Sequence, residues 1–117
     1  CWSLVGSEMC IRDRLKWKES ELTTAFQSKF GPEKWVGPAT VDLVADLAKS
    51  GKKNIAVIAP SFSSDCVETL VEICGEISES FLEAGGKNFL YIPCLNDEKI
   101  HIDMFFNIIK NELLGWI

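Results

Sequence analysis

The sequence predicts an α/β fold, a parallel sheet of βαβ units with helices on both faces. Three observations carry that prediction. Asn54 to Pro60 is a continuous apolar run of the length expected for a strand buried on both sides. Segments with apolar residues at helical spacing lie before and after it. Strand-like and helix-like stretches then alternate with short connections, an order that specifies parallel strands joined by right-handed crossovers.

In chain order, Glu21 to Ser28 is β-prone through Leu22, Thr23, Thr24, Ala25 and Phe26, and is the first expected strand. Gly31, Pro32, Gly37 and Pro38 make the next stretch a loop. Thr40 to Lys49 carries apolar residues at 41, 43, 44, 47 and 48, a helical period, and Ser50-Gly51 stops it. After the strand at Asn54, Asp65 is expected to cap a helix with Glu68 at its third position, completing a capping box. That helix should run to about Ala84 and close at Gly85-Gly86. Phe89 to Pro93 is the third expected strand. Lys99 to Leu114 is the last helix, with Ile102, Phe105, Phe106, Ile109 and Leu113 on its apolar side. Ligands of such sheets bind outside the carboxyl ends of the strands, where Gln27 to Trp35, Ser61 to Glu68 and Pro93 to Asp97 fall.

The composition excludes several classes of function. With 117 residues, 47% hydrophobic and 25% charged, the chain is of ordinary globular make-up. Its net charge is −5 and it has no Lys/Arg cluster, so no nucleic-acid partner is expected. No apolar run approaches the ~18 to 20 residues that cross a bilayer, and no segment has the order of a signal peptide, so a cytoplasmic location is expected. Five cysteines form no C-x-x-C pair and no zinc-spaced cluster, which makes reduced thiols the expectation.

Chemistry concentrates in one row. Glu68, Glu72 and Glu76 stand at i, i+4, i+8, on one face of a helix. Like charges at that spacing destabilise an isolated helix by about 0.2–0.5 kcal/mol per pair, and a bound cation would compensate. A solvated acidic face is the plainer account. Val67, Leu70, Val71, Ile73 and Ile77 interleave with the row, so it is expected to border a buried face. A π-bulge would realign it.

The words around the row carry a resemblance. Phe62-Ser63-Ser64-Asp65-Cys66-Val67-Glu68-Thr69-Leu70 resembles the F-x-S-D-(H/C)-x-E-T-L segment of the ferrochelatases. Phe26-Gln27-Ser28-Lys29-Phe30-Gly31-Pro32 with Trp35-Val36-Gly37-Pro38 is similar to their Q-S-(K/R)-x-G-x-x-x-W-(L/V)-x-P element. Phe81 to Gly86 and Ile92-Pro93-Cys94-Leu95-Asn96 continue the register, so the resemblance covers Leu15 to Leu114.

The resemblance implies the C-terminal part of an enzyme that inserts ferrous iron into protoporphyrin IX to form protohaem, the last step of haem biosynthesis. It implies Glu68 as the catalytic carboxylate, which can serve as a metal ligand or accept a pyrrole proton, and Glu72 and Glu76 as further metal-handling positions, a route for the metal or for departing protons; Asp65 is expected to give structural support. Phe62 is a candidate substrate contact. Trp35 either packs on the macrocycle or simply buries its ring. Cys66 stands where many relatives have histidine and is expected to be a spectator thiol. The family's histidine belongs to an S-A-H-x-x-P motif that this sequence lacks; His101 does not match it and is expected to be exposed on its helix. The missing histidine side of the enzyme is therefore an expected partner, and the isolated chain is expected to be inactive. No cofactor is expected, because the two-iron two-sulfur cluster of some members uses cysteines in a C-terminal extension absent here. Peripheral membrane association and oligomeric state stay open. So do a coproporphyrin or cobalt chelatase, and a non-catalytic α/β binding module.

Leu4 to Asp13 resembles the translated end of a transposon-based sequencing-library adapter. Residues 1–14 are accordingly expected to be an unstructured artefact, and 15–117 the domain. An independent read continuing upstream of Leu15 with different residues tests this.

Overall fold

The computed structural model describes residues 2–28, 31–34 and 36–116. Helix α1 (Trp2–Leu15) is followed by one 3-10 turn at Glu19–Glu21, then helix α2 (Thr40–Lys49) and strand β1 (Asn54–Ile58). A π-helix (Glu68–Ile77) continues directly into helix α3 (Ser78–Glu83), and strand β2 (Asn88–Ile92) and helix α4 (Lys99–Glu112) complete the order.

β1 and β2 pair in parallel, from Asn54 beside Asn88 to Ile58 beside Ile92. The pairing begins where the Lys53 carbonyl accepts the N–H groups of Lys87 and Asn88, at 2.8 and 3.0 Å. Ile55, Val57, Phe89 and Tyr91 pack against a core of Val44, Ala48, Ala59, Ile73, Ile77 and Phe81, supplied by α2, the π-helix and α3. The α/β class with a parallel sheet is as the sequence predicts. Its layering is thinner than expected, for Ile58, Leu90 and Ile92 on the opposite face remain exposed.

Both glycine stops act as expected. Gly51 and Gly85 take φ of +97° and +102°. Gly86 N–H returns to Phe81 O and Gly85 N–H to Leu82 O, both at 3.0 Å, while Lys52 returns to Leu47 and Gly51 to Ala48 in the same pattern. These are the paired bonds of the Schellman motif.

Three elements depart from expectation. Glu21 to Ser28 is not a strand of the sheet; its pairing is a single parallel bridge from Phe26 to Ala39. A groove of about 620 Å³ separates this segment from β1, so the two backbones do not meet. Residues 2–15 are helical rather than unstructured, helped by a 3.0 Å Glu8–Arg12 pair one turn apart and by Arg12 and Arg14 in the last turn, where cations suit the helix dipole. α4 forms, but Ile102, Phe105, Phe106, Ile109 and Leu113 are exposed, and its one buried residue is His101. No described helix is long and apolar enough to cross a membrane.

Candidate active site

The loops that leave the carboxyl ends of β1 and β2 meet at the start of the π-helix. Two columns run side by side along that helix: Thr69, Ile73 and Ile77 are buried, while Glu68 and Glu72 are half-buried and Glu76 is exposed. The helix that carries the row is a π-helix over ten residues, far longer than the single-turn bulge in which i→i+5 bonding usually occurs. Val67, Leu70 and Val71 are exposed, so the buried border of the row is the Thr69 column alone.

The expected capping box does not form. The side chain that takes the Cys66 N–H is Thr69, at 3.0 Å, and the Cys66 carbonyl accepts from Thr69 and Leu70 N–H at 3.2 and 2.9 Å. Asp65 faces the other way. Its Oδ1 accepts from Tyr91 Oη at 2.7 Å and Thr69 Oγ1 at 2.9 Å, and its Oδ2 from Asn96 Nδ2 at 2.8 Å. These donors, Asn96 first and then Tyr91, hold the Asp65 carboxyl far below the usual carboxylate range against the effect of burial. Burial, with Cys94 and Asp65 as neighbours, pushes the Tyr91 hydroxyl up in turn. Asp65 thus ties the helix start to β2 and to the loop beyond it.

Glu68 is held below its ordinary pKa by the Cys66 thiol first and by its own backbone N–H second. An ionised Glu68 is the consequence. The Glu68 carbonyl accepts from Gln27 Nε2 at 2.8 Å. Glu72 Oε2 accepts from Ser28 Oγ at 2.7 Å and Gln27 Nε2 at 3.3 Å, so Glu72 is tied rather than free. Ser28 reaches it from a left-handed backbone, φ +62°. Gln27, Ser28, Glu72 and Glu76 line a crevice of about 280 Å³.

The three glutamates form a row and not a cage. Among the described residues, no three histidines, cysteines, aspartates or glutamates converge as a metal-holding group. Phe62 is half-buried and packs against the core, and Trp35 lies outside the described residues. His101, expected to be exposed, is 3% exposed; its Nδ1 donates to the Asn96 carbonyl at 2.7 Å and its ring lies 4.6 Å from that of Phe105. Asn96, Tyr91 and Thr69 have no signal in periodicity or spacing, because their roles arise from contacts 26 or more residues away along the chain or from a hydroxyl turned inward.

Comparison with known proteins adds independent findings. The ferrochelatase family model matches residues 6–113. The ferrochelatase of Rhodobacter capsulatus is 53% identical over 107 residues, which cover 92% of this chain and 30% of that protein. That of Chelativorans sp. is 51% identical over 106 residues, covering 91% and 30%, and that of Brucella ovis 48% over 107 residues, covering 92% and 30%. The chain therefore spans about 30% of the length of the curated relatives it matches.

Proposed function

Because the chain belongs to the ferrochelatase family, we propose that it supplies the carboxylate side of the site at which a longer enzyme inserts ferrous iron into protoporphyrin IX. The observation that carries this reading is the position of Glu68 at the carboxyl end of the parallel strands, heading a row of carboxylates on a π-helix.

Insertion requires the iron to shed water and two pyrrole protons to leave while the macrocycle is held distorted. The neighbours of Glu68 hold its carboxyl below its ordinary pKa, which favours the charged form of Glu68. Its chemistry suits a hard oxygen ligand, which draws a divalent cation out of water and passes it to the pyrrole nitrogens. Glu76 is the solvent end of the row and Glu72 the tied middle, so iron enters at Glu76 and reaches Glu68 once Glu72 exchanges its bonds with Ser28 and Gln27. Ferrous iron is substrate here, and no resident cofactor is part of the reading. We place the enzyme in the cytoplasm, with the histidine that receives pyrrole protons on the part of the enzyme outside this chain.

The test is Glu68→Gln in the longer enzyme, a change that removes the charge and keeps the volume. Metal insertion should be abolished while porphyrin binding, followed by fluorescence quenching, is retained. Near-normal turnover would overturn the assignment.

A further inference from the structure

Asn96 lies in the loop between β2 and α4 with φ +46°, a left-handed conformation that asparagine enters more readily than other residues bearing a Cβ. Its polar groups are engaged in five directions. The backbone N–H donates to Ser63 O at 3.0 Å, and the carbonyl accepts from His101 Nδ1 at 2.7 Å. The side-chain Oδ1 accepts the Asp65 N–H at 2.8 Å, while Nδ2 donates to Asp65 Oδ2 at 2.8 Å and Cys94 O at 3.1 Å. One residue thereby joins the loop after β1, the loop after β2 and the first turn of α4.

We propose that Asn96 is a positioning residue for Glu68, fixing where the π-helix starts and hence where that carboxylate stands. The inference rests on Glu68 being the working carboxylate. Asn96 grips Asp65 by backbone and side chain together, so Asp65 can neither translate nor turn. The other oxygen of Asp65 accepts from Thr69, which is fully buried and adjacent to Glu68. From Asn96 to Glu68 the path is three hydrogen-bonded residues with no freely rotating member. Behind it, His101 is buried against Phe105, and because a carbonyl only accepts, its ring carries the proton on Nδ1. Loss of the Asn96 side chain would release the path at its anchored end while leaving the core of Ile73, Ile77 and Phe81 untouched.

Two substitutions separate positioning from bulk stability. Asn96→Gly keeps the left-handed backbone and loses only the amide. Asn96→Asp keeps the shape but aims a carboxylate at Asp65. In this 117-residue chain, both should speed amide exchange at Asp65 and Thr69 while the β1 and β2 amides keep their protection. In the longer enzyme, Asn96→Gly should lower kcat for metal insertion ~10- to 100-fold with the porphyrin KM unchanged, the loss that a small misplacement of a reacting group produces. Normal kcat in Asn96→Gly, or exchange rising equally across both strands, would overturn the inference. Glu68→Gln run in parallel separates the two levels. If it is inactive while Asn96→Gly is normal, positioning alone fails; if it turns over normally, the functional reading fails and positioning with it.

Discussion

Asp65 has no cationic partner among the described residues, and its charge is held by neutral donors alone. Its folded pKa is depressed, so the stability it contributes is fully present above the ordinary carboxylate pKa of about 3.9 and is lost as pH falls toward the depressed value. Asp65→Asn should therefore flatten the acid limb of a stability-against-pH curve, measured by urea unfolding between about pH 6 and pH 2. An unchanged acid limb would show that Asp65 does not titrate in this way. At Gly86 the constraint is space: a Cβ there would be driven into the ring of the fully buried Phe81. Gly86→Ala should destabilise by about 1–3 kcal/mol in denaturant unfolding, as over-packed cores do.

The π-helix and α4 are both apolar in composition but differ in what they bury. Phe81, at the end of the buried column that Thr69, Ile73 and Ile77 begin, is 0% exposed and packs 6.1 Å from the Phe89 ring. Phe106 on α4 is 62% exposed. Phe81→Ala should cost about 3–5 kcal/mol, as for a buried aromatic, whereas Phe106→Ala in this chain should stay within about 0.5 kcal/mol. Thermal melts of the two variants check the contrast directly. Equal losses would mean that α4 packs in solution against something the structure does not show.

The molecule as a whole is open. Its radius of gyration is 16.8 Å, against about 13 Å expected for a compact domain of this length. Among the described residues the sheet has two strands, and the Lys53 carbonyl bonds toward β2, so by alternation Asn54, Ala56 and Ile58 turn their backbone groups to the groove beside Ser20 to Ser28. Unpaired edges of this kind template association. Sedimentation should accordingly show concentration-dependent self-association, and a monomer with one cooperative unfolding transition at all concentrations would contradict that. On the proposed function the chain alone should also fail to metallate porphyrin, since losing an opposing acid–base group removes ~10² to 10⁴-fold of rate. Incubation with zinc or ferrous ion and protoporphyrin, followed by absorbance, tests it; insertion well above the protein-free rate would show that a complete site is present.

Local chemistry was legible in the sequence at the helix stops and in the spacing of the glutamate row, but not at the start of the π-helix, where Thr69 takes the Cys66 N–H and the expected Asp65–Glu68 box is absent. Helix α2 ends at Ser50-Gly51 and α3 at Gly85-Gly86 because a glycine that can take positive φ stops a helix without help from the rest of the fold. The apolar runs at 54–58 and 88–92 pair as parallel strands because a βαβ unit brings them together. The glutamate row was visible for the same reason, its spacing being a property of one helix. Everything that depends on the far side of a contact was decided by tertiary structure. Glu21 to Ser28 has the propensity of a strand, but a strand needs an adjacent backbone, and a groove lies where that backbone would be. His101 became buried, and Asn96 became the anchor of Asp65, because loops far apart in sequence converge at the ends of two strands, where hydrogen-bond partners are set by proximity in space rather than along the chain.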